Sequence, residues 1–194
     1  MDGSNVSSTP TYEFYDHDTP IQSVAIDSRA EFVAAGAHDG SVVVWMVDTE
    51  TKDYQVMFSR RINSNSRPVM SVAWLPMNFA DAAAATGFSD KRLLCCCKDG
   101  TVTCIDSNNR LFAAVQLDSY VRSIDAGKYF VYGGCGDGSL RVWIMESGSF
   151  REVAAHTAAH TGGINALVLG KSDTVVVTGG EDGSVRGWKI EYQQ

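Results

Sequence analysis

The sequence has little of what marks a membrane, secreted or nucleic-acid-binding protein. No apolar run approaches the roughly 18 residues that a membrane-spanning helix needs. The first residues, MDGSNVSSTP, have neither the basic start nor the apolar stretch of a signal peptide. The net charge of −7 and the pI of 5.0 argue against a general nucleic-acid-binding surface, which needs a basic face. We therefore expect a cytoplasmic protein, with the nucleus as the alternative, that binds no membrane and is unsuited to nucleic acid.

Spaced cysteine pairs are also missing. The five cysteines are residues 95–97, 104 and 135, so the chain has no C-x-x-C pair of the kind that structural zinc sites use. Their odd number and the run of three differ from a secreted disulfide framework, and we expect reduced, buried thiols. A two-residue turn at Asp99 and Gly100 would place Cys95 opposite Cys104, but we expect all five thiols to be free.

No motif of catalysis or cofactor binding is present. The chain lacks a G-x-x-x-x-G-K-S/T phosphate loop, an H-E-x-x-H pair and a G-x-S-x-G elbow. The acidic stretch DTETKD (48–53) lacks the central Gly and the closing Glu of an EF-hand loop. His156 and His160 are four residues apart but lie in a predicted loop, which makes a metal site a minor alternative. The sequence predicts that the protein is not an enzyme and has no cofactor.

What the sequence does have is one short pattern written four times. An Asp-Gly pair followed by Ser or Thr and an apolar run begins at Asp39, Asp99, Asp137 and Asp182. The spacings are 60, 38 and 45 residues, and the first gap contains an extra segment at 77–91 with no counterpart elsewhere. Without those 15 residues the first spacing is also 45. This period matches the ~40–45 residues of one propeller blade.

Each repeat predicts a sheet of up to four short strands. Two β-rich runs joined by Asp-Gly form a hairpin, because Gly accepts a positive φ and Asp tolerates it. Another strand candidate precedes each hairpin, and in the first three repeats a fourth comes after it. Several of these runs are apolar on both faces, which indicates sheets packed against neighbouring sheets. The predicted strands are 21–26, 31–37, 41–45 and 54–61; then 69–74, 92–97, 101–105 and 110–117; then 120–124, 128–135, 139–143 and 149–155; and finally 164–169, 173–180 and 184–188.

The repeat resembles that of the WD-repeat β-propeller family, and the likeness covers residues 12–192. In that family a His before the first strand, a Ser or Thr on the second, the turn Asp and a Trp on the third share hydrogen bonds. The last repeat matches all four positions, with His160, Thr178, Asp182 and Trp188. These four could be taken for a catalytic triad and its neighbour. We interpret them as structural, because buried polar groups need partners and the other repeats carry fragments of the same set.

Those fragments become less complete in the other three repeats. The first keeps His17, Asp39 and Trp45 with Ala35 in place of the hydroxyl; the third keeps Asp137 and Trp143, with Leu117 and Gly133 at the other two positions; the second keeps only Asp99. The resemblance therefore predicts an all-β fold: a WD-repeat propeller of four four-stranded blades. We expect residues 1–10 to be a flexible tail and 11–194 to form the propeller, with blades at about 17–61, 68–117, 120–155 and 160–192 and the insertion at 77–91.

The last repeat stops after its third strand, whereas the N-terminus has a spare strand candidate, TYEFYD (11–16). In the family an N-terminal strand completes the final blade, which also removes an open sheet edge, so we expect 11–16 there. Family members usually have about seven blades, and this chain supplies four. Four explanations stay open: two chains share one ring as a homodimer, a partner completes the propeller, the chain is a shortened form of a longer one, or the four blades close alone, which would be atypical for the family.

The resemblance implies a non-catalytic protein–protein interaction scaffold or adaptor, whose partners are other proteins or peptides. The alternative is a structural subunit of a larger assembly that supplies blades to a shared propeller. We expect partners on the face that carries the turns between second and third strands, with Tyr120 and Arg122 contributing most because their residue types dominate binding energy. The further candidates are Gln22, Met70, His38, Lys98, Glu181, Gly136 and Asn165, together with Arg60, Arg61 and Arg67 as a basic spot suited to an acidic or phosphorylated segment.

Overall fold

The computed structural model describes residues 11–79, 91–146, 148–170 and 173–191. Within these ranges the regular structure consists of fifteen β-strands and no helix. The tail at 1–10 and most of the predicted insertion, including its short helix candidate at 81–87, lie outside the described residues. The predicted all-β fold is therefore confirmed for the described part of the chain.

The strands occur in the predicted order, three or four to a repeat. Five of them have the predicted bounds, and the others differ by one to three residues at an end. We call the four repeats units one to four. Their strands are β1 (Ile21–Ile26), β2 (Phe32–Ala37), β3 (Ser41–Val47) and β4 (Tyr54–Arg61); β5 (Val69–Trp74), β6 (Arg92–Cys97), β7 (Thr101–Asp106) and β8 (Leu111–Gln116); β9 (Val121–Ala126), β10 (Val131–Cys135), β11 (Leu140–Glu146) and β12 (Gly148–His156); and β13 (Ile164–Leu169), β14 (Val175–Gly180) and β15 (Val185–Lys189).

Each unit is an antiparallel sheet in which sequence neighbours pair in order. The outer strands β8 and β12 also pair in parallel over two residues, which joins units two and three into one eight-stranded sheet. Unit four has three described strands, so β15 forms its outer edge.

The Asp-Gly hairpins have a three-residue loop instead of the two-residue turn that would pair Cys95 with Cys104. In each unit the Gly N–H donates to the carbonyl three residues earlier, as Gly100 does to Cys97 at 3.1 Å. Gly100 then takes the left-handed conformation, with φ of 90°, which completes a type I turn with a bulge after it. This extra residue shifts the register by one. Cys95 therefore pairs with Thr103, the predicted Cys95–Cys104 pairing is wrong, and all five cysteines are buried free thiols.

The core lies between successive sheets, where the innermost strands β1, β5, β9 and β13 lie side by side. The first apolar residue of each later innermost strand is fully buried against the sheet before it. Small residues make room for these side chains: a Cβ added to Gly36 would lie 2.4 Å from a methyl of Val69, and one added to Gly134 would lie 2.4 Å from a methyl of Ile164. We call each such contact between sheets a seam.

The N-terminal segment packs on unit one within the single chain. Residues 11–16 form no strand, and they lie on unit one instead of completing unit four. The ring of Phe14 packs between Trp45 and Tyr54, with centroid distances of 4.7 and 4.6 Å, and the Tyr12 hydroxyl donates to the Asp48 carbonyl at 3.0 Å. The aromatic side chains of this segment find apolar partners on the adjoining sheet, whereas β15 lies at the other end of the molecule's row of sheets.

Candidate functional site

The complete polar set of unit four forms the hydrogen bonds that the resemblance predicts. The His160 ring lies between Asp182 and Thr178, with Nδ1 2.9 Å from Asp182 Oδ1 and Nε2 2.8 Å from Thr178 Oγ1. Trp188 donates its indole N–H to the same hydroxyl at 2.9 Å. His160 and Thr178 are buried, so the set holds the connection before β13 against the β14–β15 turn. Every polar side chain in it has a structural partner.

Unit one has the same set without the hydroxyl. With Ala35 in that position, Trp45 donates its indole N–H to Asp16 at 2.7 Å instead. His17 contacts Ser41 at 3.2 Å, and its Nε2 atom is buried with no partner in the described part of the chain. Asp16 is thus a further member of the set that the repeat pattern does not predict, although an acidic residue next to His17 was a signal for it.

Unit two keeps only the turn Asp of the set, and unit three keeps the turn Asp and the Trp. In unit three Asp137 accepts from the Ser139 hydroxyl at 2.6 Å and from its N–H at 2.9 Å. Gly133 leaves space for the ring of Trp143, because an added Cβ would lie 2.6 Å from that ring. In unit two Asp99 accepts from the Thr101 N–H at 3.0 Å. The turn Asp therefore holds the start of the next strand in every unit, whatever the other positions contain.

The hydrogen bonds of the turn aspartates favour their ionised form. The Ser41 hydroxyl, with further donors from the Ser41 backbone, Thr19 and Arg61, lowers the pKa of Asp39 to about 2. The His160 ring, and after it Ser184, holds the pKa of Asp182 well below its usual range.

Among the candidate binding residues, the structure brings four together across the seam between units three and four. Arg122 on β9 donates to Glu181 in the β14–β15 turn and to Asn165 on β13, and its other donors reach the Tyr120 hydroxyl at 2.8 and 3.2 Å. The guanidinium also lies over the Tyr120 ring, 5.3 Å from its centroid. The bond to Glu181 raises the pKa of Arg122 and lowers that of the carboxyl. We call these four residues the rim cluster.

The remaining candidates are spread along the same rim. The backbone N–H groups of His38, Lys98 and Gly136 each donate to the connection that precedes their unit's innermost strand. His38, Lys98 and Gln22 are exposed, whereas Met70 is half-buried against the core. These residues mark one face of the molecule, but the structure does not gather them into a single patch.

The three arginines expected to form a basic spot have different neighbours. Arg61 forms an ion pair with Asp39 at 3.0 Å. Arg60 reaches away to Asn109 of unit two, at 3.1 Å to its carbonyl oxygen. Arg67 is exposed, and its backbone N–H and carbonyl are held by Asn63. The structure therefore separates these charges and pairs one of them with an acid.

A row of serines joins neighbouring units across the seams, and the repeat pattern alone did not predict it. Each lies on an innermost strand and accepts a hydrogen bond from a backbone N–H of the next unit: Ser23 from Val72 at 3.1 Å, Ser71 from Ile124 at 3.4 Å and Ser123 from Leu167 at 2.9 Å. The signal was present in the sequence, since IQSV, VMSV and VRSI have Ser in third place. In INAL, Ala166 takes that place.

Within the described ranges, no group of three or more His, Cys, Asp or Glu side chains is placed to hold a metal ion. No helix in the same ranges is long and apolar enough to cross a bilayer.

Comparison with known proteins identifies the repeat. The family model described as "WD domain, G-beta repeat" matches residues 8–46 and 152–189, which include the first and last polar sets. The chain is 26% identical over 177 residues to the DENN domain and WD repeat-containing protein SCD1 of Arabidopsis thaliana. That match covers 91% of the chain and 13% of the relative, so the chain spans about an eighth of its length. The chain therefore carries WD40 repeats, as the resemblance predicted.

Solved structures show the same fold at low sequence identity. The computationally designed Ika4 protein matches with a TM-score of 0.71 at 22% identity, over 95% of this chain and all of that one. The designed Ika8 protein matches at 0.66 and 24% identity, and a chain of the mitotic checkpoint complex at 0.73 and 18%. In both of these the match covers 90% of this chain but about half of the other, 47% and 51%. The chain has the β-propeller-like fold of these structures, and the number of blades in its closed form stays a prediction.

Proposed function

We propose that the chain is a non-catalytic scaffold that binds a protein segment at the rim cluster. WD-repeat proteins generally act as interaction scaffolds, which supports the broad class of function. The observation that carries the finer proposal is the convergence of Tyr120, Arg122, Asn165 and Glu181 at one seam. They form a compact surface with an aromatic ring, a cation, an amide and a carboxylate.

The rim cluster is held in one arrangement before a partner arrives. The Arg122 side chain is 19% exposed and has partners on three sides, whereas the Glu181 side chain is 49% exposed. A side chain already fixed in place loses little conformational entropy on binding, which favours affinity. Tyr and Arg are also the residue types that most often dominate an interface. Because the Arg122 charge is matched by Glu181, we expect a partner segment that offers backbone carbonyl and N–H groups rather than a strong net charge.

The test is the double substitution Tyr120→Ala/Arg122→Ala in the full chain, assayed by melting temperature and then by capture of partners from the native source. The matched control is Arg151→Ala, since Arg151 is also an arginine paired with a glutamate but lies on an outer strand. A folded double variant that loses a partner kept by the control supports the rim cluster. Retention of every partner by the folded double variant contradicts it.

The second candidate function is a structural subunit that supplies sheets to a shared ring. It is favoured by exposed apolar side chains at both ends of the row of sheets, which include Val24 of unit one and Val185 of unit four, 69% and 75% exposed. Exposed apolar faces of this kind mark association surfaces.

A further inference from the structure

We infer that unit one of a second copy packs against unit four of this copy, so that two chains close one ring through two such contacts. This inference rests on the second candidate function and is independent of the rim cluster. The occupant of each open end is then the opposite end of another copy of the same chain. The three seams within the chain support this, because they show how one unit receives the next.

The leading face of unit one is built like the leading faces of the other units but is uncovered. Ile21 occupies the register position of three residues that are fully buried against the preceding sheet, and Val24 occupies that of three residues no more than 8% exposed. Ile21 is 44% exposed and Val24 is 69% exposed. The buried counterparts are Val69, Val121 and Ile164 for Ile21, and Val72, Ile124 and Leu167 for Val24.

Unit four carries the matching empty position. Gly36 and Gly134, on the second strands of units one and three, receive Val69 and Ile164 so closely that an added Cβ would lie 2.4 Å from their methyl groups. Gly179 has the same register position in unit four. An added Cβ there would meet no heavy atom of the described residues within 4 Å. A second copy's Ile21 fits this position as Ile164 fits against Gly134.

The outer edge of unit four is open in the same way. In units two and three the turn glycines Gly100 and Gly138 are covered by the chain that leaves the outer strand, with carbonyl oxygens 2.3 and 2.4 Å from an added Cβ. Gly183, their counterpart, has no described neighbour within that reach of 4 Å. No described residue therefore fills the outer-strand position beside β15.

Residues 11–16 are placed to fill that position on a second copy. They precede β1 by four residues (17–20), as β8 precedes β9 by four (117–120). Phe14 lies 4.7 Å from Trp45, much as His156 at the end of β12 lies 5.2 Å from Trp188 of the next unit. Residues 11–16 therefore lie against unit one in the same way as an outer strand, such as β12, lies against the unit that follows it in the chain. When unit four of another copy docks on unit one, the β15 of that copy would lie beside residues 11–16, and these residues would not need to move.

We expect a second copy of the chain to cover these two ends, because the uncovered faces of unit one and unit four are complementary and belong to the same chain. The exposure of Ile21 and Val24 shows that the two ends of one copy do not cover each other. A contact between unlike surfaces forms either a closed ring or an open filament. With four units in each copy, two copies give an eight-unit ring, and the designed Ika8 chain, which this chain matches over 47% of its length, is of a size to contain two such sets.

One departure from the internal seams gives a directional test. The serine that accepts a backbone N–H at each internal seam is replaced in unit four by Ala166, which is exposed. The N–H of Val24 in the second copy would therefore lack that acceptor. Ala166→Ser restores it at both contacts of the ring, and we expect the dimer dissociation constant to fall by about 25-fold, which is about 2 kcal/mol for two hydrogen bonds.

The decisive experiment is disulfide capture between separately prepared variants of the full chain. Ile21→Cys and Gly179→Cys are each made alone and then mixed under mild oxidation. The five native cysteines are buried and do not compete. We expect a bridged species of twice the 21.0 kDa chain mass only in the mixture. The control replaces Ile21→Cys by Leu111→Cys, since Leu111 is 47% exposed on an outer strand away from both ends.

Light scattering supplies the second arm. We expect the wild-type chain at high micromolar concentration to have twice the 21.0 kDa mass, Ile21→Asp to have the single mass, and Leu111→Asp to remain paired. Ile21 is exposed in the single copy, so Ile21→Asp should fold. A monomeric wild type overturns the inference, and so does a dimer that survives Ile21→Asp or that gives no bridge in the mixture. An intramolecular bridge in the Ile21→Cys/Gly179→Cys double variant would also overturn it, because one copy would then close on itself.

Discussion

At the scale of single residues, the polar sets of units one and four differ by one hydroxyl. The Thr178 hydroxyl is hydrogen-bonded to Nε2 of His160 and accepts from the Trp188 indole N–H, whereas Ala35 leaves Nε2 of His17 buried and without a partner among the described residues. A buried polar atom without a hydrogen bond is costly. We therefore predict that Ala35→Ser raises the free energy of unfolding by about 1 kcal/mol, measured by chemical denaturation.

The control for this prediction is the neighbouring residue. Ala34 is also fully buried but belongs to the apolar cluster between units one and two. Ala34→Ser places a hydroxyl among apolar side chains and should lower the unfolding free energy. If both serine variants destabilise the protein alike, Ala35 is not the missing member of the set.

The turn aspartates predict how stability depends on pH. The pKa of Asp39 is about 2 in the folded chain and about 3.9 in an unfolded one. Between these two pH values the unfolded chain binds more protons than the folded chain. The contribution of Asp39 to the free energy of unfolding is therefore present above about pH 4 and is lost as the pH falls toward 2. We expect Asp39→Asn to be less stable than wild type at pH 5 but to lose less stability on acidification. The measurement is urea titration of both proteins at about pH 5 and pH 3. If wild type and Asp39→Asn lose the same unfolding free energy between these two pH values, this assignment is contradicted.

Some of these residues could be predicted from the sequence and others could not. The set of His160, Thr178 and Asp182 was predictable because all its members fill the positions of a known pattern. The partner of Trp45 was not, because Asp16 replaces a hydroxyl that lies elsewhere in the sequence. The partner of Arg61 was also unpredictable, since its pairing with Asp39 depends on how two loops fold beside each other.

At the scale of elements, the hairpins were predictable but their register was not. The Asp-Gly pairs located every turn, because Gly takes a positive φ at each one. Whether two or three residues form the loop depends on the hydrogen bond from Gly100 to Cys97. The residue types of the turn do not indicate whether this bond forms. That single residue decides whether Cys95 faces Cys104 or Thr103.

The N-terminal segment gives a prediction at this scale. Deleting residues 1–16 removes Phe14 from Trp45 and Tyr54 and leaves the Trp45 indole N–H without Asp16. We expect the unfolding free energy to fall by about 2 kcal/mol, from lost apolar burial and one lost hydrogen bond. Deleting residues 1–10 alone is the control and should change stability little. Equal stability of both truncated chains would show that 11–16 contribute no packing.

At the scale of the whole molecule, three seams repeat one arrangement and the two ends lack it. The number of units was predictable from the repeat length, but the position where the row of sheets stops was not. That position depends on which faces of the sheets are covered by a neighbouring sheet. Ile21 and Ile164 occupy equivalent positions, but Ile21 is exposed and Ile164 is buried. Both ends are therefore uncovered by the described residues, and we propose that they fit each other on separate copies.

Hydrogen exchange of the β15 amides, measured as a function of protein concentration, tests this proposal most directly. The outer edge of β15 is unpaired in one copy and would pair with residues 11–16 of a second copy. We predict that the β15 amides on the edge away from β14 exchange fast in dilute protein and become protected at high concentration, whereas β11, which is paired on both sides, is protected throughout. Fast exchange of β15 at every concentration would contradict the shared ring, and so would protection equal to that of β11 in dilute protein.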